Sequence, residues 1–293
     1  MNLILMYIIE GIPLGMIYAL VAVGYSLIFS ILGIINFSHG SIYAFGAMMA
    51  YFLSGVFLNP WIAMVVSMVL TGILAICVNK FSIEPLRKKN APHIATLITT
   101  IGVSYTIQHM LIAIFGSNRV GFEAFYDWGF IDLGTYRLYV NRIVLFVASS
   151  ILMLVLTLFI KKTRTGFAIR AIQQNYKAAK LMGINEVLVI GITFFLAGIS
   201  ASFAGTMVAG YYRLAYPSMG VMVGNKTFAA ALLGGLGEFE GCIIGGLVIG
   251  VLETIVAGLY GAAMKDAVAF IILIAIMVFK PNGIFGKKVI SKV

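Results

Sequence analysis

Charge is scarce in this sequence. Asp, Glu, Lys and Arg make up 10% of its 293 residues, against about a quarter in soluble globular domains. With 61% hydrophobic residues and a mean hydropathy of +1.06, there is too little polar surface to cover a water-facing globule. Cysteine is equally sparse. Cys77 and Cys242 both sit in apolar segments without metal-ligand spacing, which excludes a zinc site or disulfide framework and leaves two small packed residues. Histidine occurs three times. No other His, Cys or carboxylate stands at ligand spacing near His39, so no metal is expected; His93 reads as an interfacial residue and His109 as a packed polar one. An intramembrane enzyme would need paired carboxylates, a Ser/His pair on separate elements or a metal cluster. Ser38 and His39 are merely adjacent, and no catalytic residue is assigned. A phosphate-binding loop is missing too. Gly224-Asn-Lys-Thr-Phe228 echoes one superficially, but Asn225 separates glycine from lysine and the preceding glycine, Gly220, is too close. The chain therefore binds no ATP or other cofactor of its own.

What remains is a series of apolar runs. A helix needs roughly 20 apolar residues to span a bilayer, and candidates cover 3–26, 41–58, 61–79, 93–115, 142–160, 187–211, 221–236, 241–259 and 267–279. This is an all-α polytopic membrane protein, with 8–10 membrane segments of which one or two are broken or re-entrant. Residues 1–293 form a single membrane domain, because the polar intervals are no longer than one helical hairpin. The N-terminus lacks a positive n-region and Glu10 interrupts its apolar run, so cleavage as a signal is not expected.

Three intervals hold the basic excess. Residues 80–92 carry a net +3, 161–186 a net +5 and 280–293 a net +4, whereas 116–142 balances Arg119, Arg137 and Arg142 against Glu123, Asp127 and Asp132. Lys and Arg next to spans mark the cytoplasmic side, which places these three intervals and the C-terminus there. The split of charge among juxtamembrane loops excludes nucleic acid as a partner.

Within 166–186 the spacing predicts one short amphipathic helix. Arg170, Gln173, Gln174, Lys177 and Lys180 share a face, and Ala168, Ala171, Ile172, Ala179 and Met182 lie opposite. Gly183 stands where a C-cap needs positive φ, and Gly166 punctuates the start. Such a helix suits contact with anionic lipid as well as with a protein partner. A second polar string, Asn36, Phe37, Ser38, His39 and Gly40, interrupts apolar sequence. Facing lipid it would be costly, so it is either an interfacial loop or a broken helix lining a cavity, whose exposed N-terminus would suit an anionic group. Glu10, Lys226 and Glu253 lie in or near apolar runs, where ionisable residues mark functional sites by default or else pair and snorkel. Small residues recur at spacing four in Gly11/Gly15, Gly237/Gly241/Gly245 and Gly246/Gly250, as in closely packed membrane helices.

Several strings together resemble the permeases of bacterial high-affinity branched-chain amino acid ABC importers, along nearly the whole chain. They are Gly15-Met-Ile-Tyr-Ala-Leu20, Ile34-Ile-Asn-Phe-Ser-His-Gly40, Arg164-Thr-Gly-Phe-Ala-Ile-Arg-Ala171, Lys177-Ala-Ala-Lys-Leu-Met-Gly-Ile-Asn185, Ala230-Ala-Leu-Leu-Gly-Gly-Leu-Gly237, Gly241-Cys-Ile-Ile-Gly-Gly-Leu-Val-Ile-Gly250 and Lys280-Pro-Asn-Gly-Ile-Phe-Gly286. Lys177-Ala-Ala-Lys-Leu-Met-Gly183 is similar to the EAA-xxx-G loop of importer permeases, with Lys177 in place of Glu. Glu238-Phe-Glu240 departs from the small residues and Pro common before Gly241, which puts that turn's geometry in question. The resemblance implies a type II-like importer fold in a bacterial inner membrane. It implies a homologous second permease, two ATP-hydrolysing subunits and an extracytoplasmic amino-acid-binding protein as partners. Arg170, Lys177, Ala178, Ala179 and Gly183 would couple to the ATPases; Asn36, Ser38, His39, Gly40 and Lys226 would line the substrate path, with Lys226 or the start of the 40–44 helix at the substrate carboxylate. Leucine, isoleucine and valine are the implied substrates, and urea, short amides or other amino acids the alternatives. An ATP-independent channel or secondary transporter is the competing class.

Overall fold

The computed structural model describes residues 3–57, 59–122, 129–132, 137–280 and 283–286. Its first helix, α1 (Leu3–Leu32), runs 30 residues without a break, about 45 Å at 1.5 Å per residue. It therefore absorbs the apolar piece after residue 26 that the hydropathy left separate. The chain reverses over 33–38 into α2 (His39–Phe57) and, capped by the Asn59 side chain, enters α3 (Pro60–Val78). A single π-turn, Asn79–Ile83, carries α3 straight into α4 (Glu84–Lys88). The basic 80–92 interval is thus largely helical, with Lys88 closing an ion pair on Glu84 at 2.7 Å. Next come α5 (His93–Phe115), α6 (Val140–Lys162), α7 (Arg164–Gln174), α8 (Tyr176–Leu181), α9 (Glu186–Tyr212), α10 (Met219–Gly234), α11 (Phe239–Tyr260) and α12 (Lys265–Phe279), the last preceded by a 3-10 turn at Ala262–Met264.

Eight of these stretches are long and apolar enough to cross a membrane. With 16 residues, α10 is too short to be counted among them. It is instead enclosed by α1, α2, α11 and α12, so its polar middle meets protein. The eight fall within the expected 8–10 segments, and 221–236, expected as a span, is the candidate that falls short. Two strand pairs at one end were not foreseen: β1 (Val120–Gly121) with β4 (Leu214–Ala215), and β2 (Phe130–Asp132) with β3 (Arg137–Tyr139). Glu123 and Asp127, and the tail lysines Lys287, Lys288 and Lys292, lie outside the described residues, as do Pro281 and Asn282 of the closing string.

The core is organised on α1, which is buried all round from Gly15 to Ile28 and touches α6, α9, α10 and α11. Its most extensive partner is α11. The two small-residue lines meet each other here: a Cβ on Gly15 would strike Leu247 and Gly246 backbone, and one on Gly246 would strike Ala19. In lipid, where water exclusion does not drive helices together, such backbone approach is how they gain contact. The third predicted line is corrected. Gly241 and Gly245 do pack on Gly234 and Ala230 of α10, but Gly237 is not in the helix. It sits in the α10–α11 turn at φ +90°, a conformation that side chains with a Cβ resist.

Gly246→Ala should cost at least about 1–3 kcal/mol through overpacking, read as an earlier thermal unfolding midpoint in detergent. Gly191→Ala, where a Cβ meets nothing within 4 Å, should leave that midpoint unchanged or raise it.

Candidate functional site

The polar string at 36–40 is the joint between α1 and α2. The Asn36 side chain folds back on the chain: its Oδ1 accepts from Ser38 N at 3.1 Å and from Ser38 Oγ at 2.6 Å, an Asx-type cap that starts the next helix. Thr100 of α5 accepts from Phe37 N at 3.2 Å, and Ser41 Oγ lies 2.9 Å from the Ser104 carbonyl. Asn36, Ser38 and His39 are at most 2% exposed, so the joint between these two candidate spans is enclosed by protein rather than an open loop. His39 stacks edge-on with Tyr25 at 4.7 Å and occupies the space that Gly24 leaves open. Neither ring nitrogen makes a hydrogen bond of ordinary geometry among the described residues, with the Val21 backbone as a weak polar neighbour.

Of the expected path residues Asn36, Ser38, His39 and Gly40, Gly40 borders an open space and the other three do not. A groove of about 150 Å³ is lined by Tyr25, Phe37, Gly40 and Ser41, by Ser104, Tyr105 and Gln108 of α5, and by Gly220, Gly224 and Asn225 of α10. Gly40 and Gly220 pack backbone to backbone, which draws the start of α2 against α10. The structure thus brings the 36–40 string to the 220–225 segment. Asn36, Ser38 and His39 support the groove from behind and do not line it. The polar residues of α5 carry no motif, and sequence reading missed them. His109 belongs with them: it is exposed and stacked on Tyr105 at 6.4 Å, which corrects its reading as a packed residue. Its helix has few neighbours on that side.

Lys226 follows Asn225 in sequence but faces the other way. Its Nζ is 2.8 Å from Glu253 Oε1 of α11 and 2.5 Å from Asp266 Oδ1 of α12. Glu253 also accepts from Tyr18 at 2.8 Å. Lys226 and Glu253 side chains are 5% and 3% exposed, so this is a buried ionic cluster tying three helices and α1. Among the described residues Lys226 does not reach the Asn36–Gly40 groove. Glu10 pairs likewise, with Arg142 of α6 at 2.5 Å.

The 166–186 stretch differs from the single helix that its periodicity predicts. Asn175 is extended (φ −157°, ψ 102°) and its side chain accepts from Ala178 N at 3.0 Å. Capping by Asn offers the backbone an alternative to a continued helix, and α7 and α8 are separate. Arg170 and Gln173 therefore do not share a face with Lys177 and Lys180. In α7, Gly166, Ile169 and Ile172 turn inward, Thr163 caps Gly166 N at 3.0 Å, and Gln173 Nε2 donates to the Gly237 carbonyl at 3.0 Å. In α8, Ala178 is exposed but Ala179 is buried, so one alanine of the pair is free for a partner. Gly183 ends α8 at φ +83°, with Gly183 N donating to Lys180 O and Ile184 N to Ala179 O. This is the C-cap its position foretells. Met182 is not on the inner face: Leu181 and Met182 are 88% and 83% exposed, a projecting apolar tip the spacing did not reveal. At the turn in question, Glu240 forms an ion pair with Lys161 at 2.5 Å.

A protein-family model described as branched-chain amino acid transport system / permease component matches residues 7–277. The chain is similar to the high-affinity branched-chain amino acid transport system permease protein BraD of Pseudomonas aeruginosa, with 32% identity over 302 residues, 99% of this chain and 98% of that one. It is 31% identical to the corresponding protein LivH of Escherichia coli over 297 residues, 97% and 96% of the two chains. Among solved structures, PsaBC from Streptococcus pneumoniae in complex with Fab is similar at a TM-score of 0.52, covering 96% of this chain and 93% of that one. At 13% identity that likeness concerns the fold alone.

Removing one member of a buried ion cluster strands the others. Lys226→Met should lower stability by about 3–5 kcal/mol, and Lys226→Met/Glu253→Gln should be less destabilised than the single variant. Unfolding midpoints of the two proteins in the same detergent test this. Additive losses would contradict it.

Proposed function

We propose, from the premise that the chain belongs to the branched-chain amino acid transport permease family, that it is the membrane-spanning subunit of an ATP-driven importer of leucine, isoleucine and valine. The observation that carries this reading is the match, along almost the whole chain, to permeases named for that transport. The geometry supplies what such a subunit needs. A passage requires polar groups held open at membrane depth, and irregular backbone is tolerated there only inside protein or along a cavity. The α1–α2 joint, backed by Asn36, Ser38 and His39, provides this beside Gly40 at the start of α2.

The groove is shallow and is bounded on one side by α5, most of whose residues face outward. Its remaining wall is assigned to a second, homologous permease, so that Ser104, Tyr105, Gln108 and His109 meet a partner or the passage rather than lipid. The 164–183 segment is assigned to the cytoplasmic side by its charge, and α8 to the groove of an ATP-hydrolysing subunit. Ala178 allows close approach there, Lys177 supplies charge, and Leu181 and Met182 supply the apolar contact that anchors protein interfaces. Gly183 turns the chain back into α9. Arg170, on α7, stays with the permease body, where its Nη2 donates to the Lys161 carbonyl at 3.3 Å. An ATP-independent channel would have no use for such a tip. An amino-acid-binding protein is assigned to the opposite side.

Reconstitution with ATPase subunits and binding protein tests the assignment directly: uptake of labelled leucine should require ATP and be competed by valine and isoleucine but not by urea. Uptake that proceeds without ATP would sink the ATP-driven part, and competition by urea would move the substrate class. Replacing Gly183 by Val should abolish uptake while membrane insertion stays intact. The Leu181→Asp/Met182→Asp variant should lose co-purifying ATPase subunits, with its thermal midpoint unchanged because neither side chain is buried.

A further inference from the structure

At the end of the bundle opposite α7 and α8, a cavity of about 380 Å³ opens between α1, α9, α10 and the start of α12. That volume lies within the roughly 300–1,000 Å³ of small-molecule sites. Its charges are unusual for their arrangement. Lys226 is held by both Glu253 and Asp266, so the cluster has one carboxylate more than it has cations. Glu253 is closed off, whereas the Asp266 side chain is 33% exposed and lines the cavity, so the surplus negative charge is presented there. Two further lining residues are cations. Lys265 stands over the Tyr212 ring at 5.9 Å and Arg119 over the Tyr216 ring at 5.2 Å. Neither is in an ion pair among the described residues. Between them the wall is apolar, made in part by Met219, Met222 and Val223 of α10.

A free carboxylic acid in this cavity would be opposed by Asp266, and a free amine by Lys265 and Arg119. Only a molecule with both charges gives a partner to Asp266 and to the two cations together, and the methionine and valine wall selects an apolar remainder. Methionine side chains adapt their shape to such groups. We infer that this cavity is a binding subsite for a free α-amino acid with an apolar side chain. The ammonium meets Asp266, the carboxylate meets Lys265 and Arg119, and the side chain rests on Met219, Met222 and Val223. The assignment rests on the importer reading and deepens it: it adds a station inside one permease, on the other side of α10 from the Gly40 groove. It also gives Lys226 a different task from direct contact with substrate, which is to hold Asp266 in place.

The test uses the permease–ATPase assembly in lipid nanodiscs, without binding protein, and measures equilibrium binding of labelled leucine. Saturable binding is expected, competed by valine and isoleucine. Leucinamide, which lacks the carboxylate, and 4-methylpentanoate, which lacks the amine, should not compete. The double variant Arg119→Gln/Lys265→Gln should bind at least about tenfold more weakly, as loss of a charge partner implies, and Arg119→Lys/Lys265→Arg should restore binding. Filling the cavity with Met222→Trp should abolish it at an unchanged thermal midpoint. Absence of saturable binding, equal competition by leucinamide or 4-methylpentanoate, or an unaltered double variant would overturn the subsite. Uptake by the same wild-type assembly, reconstituted with binding protein, separates the two failures. Leucine uptake without cavity binding removes the subsite and leaves the importer reading standing; no uptake of any branched-chain amino acid removes both.

Discussion

Close backbone contact between α1 and α11 is the constraint on which the rest of the structure depends. A helix enclosed on all sides cannot present one apolar stripe to the core, and α1 has no such stripe. It has instead a series of small residues that let α11 approach to main-chain contact at Gly15 and Gly246. Once that pair is fixed, α10 is positioned by Gly234 and Ala230 against Gly241 and Gly245, and α2 is drawn to α10 at Gly40 and Gly220. The groove beside Gly40 is thus a product of glycine contacts two helices away.

The second constraint is polar satisfaction. Burying a charge is tolerated only with compensation, and the Lys226 cluster meets that demand with groups from α1, α10, α11 and α12. Such clusters contribute little net stability compared with apolar packing, but they penalise any arrangement that separates their members. Here the penalised motion is displacement of α12, whose start is joined to α10 through Asp266. The α1–α2 joint meets the same demand only in part: Asn36 Oδ1 takes both Ser38 donors within a three-residue span, while Asn36 Nδ2 is buried without a hydrogen-bond partner among the described residues.

Much of this was readable from the residues. Spans follow from apolar length, the Gly183 cap from its place after a helical period, and the burial of Asn36, Ser38 and His39 from a polar break that would be costly facing lipid. What escaped had physical reasons. The break at Asn175 depends on a side chain outcompeting helix continuation, a balance that periodicity does not weigh. Asp266 joins Lys226 across 40 residues of chain, and nothing local announces it. The outward placement of His109 and Tyr105 is invisible because the exposed and the packed faces of an apolar helix can have similar composition. One of the two short β-ribbons pairs segments far apart, Val120 with Ala215, and strands of two or three residues have no period to detect. Gly237 keeps a spacing of four with Gly241 and Gly245, but that spacing ignores where α11 starts.

The interruption at Asn175 has one more implication. α7 is bound to the permease body through Gly166, Ile169, Ile172 and Gln173, while α8 holds by Tyr176, Ala179 and the Lys180–Glu186 ion pair and projects Leu181 with the following Met182. In the proposed assembly, recognition of the ATPase and delivery of its motion reside in different pieces of secondary structure, joined at one extended residue. Changes in α8 can then alter which ATPase is accepted without disturbing the lever that α7 forms with the α10–α11 turn. Two subunits of different sequence can in this way share one pair of motors, each adjusting its own tip.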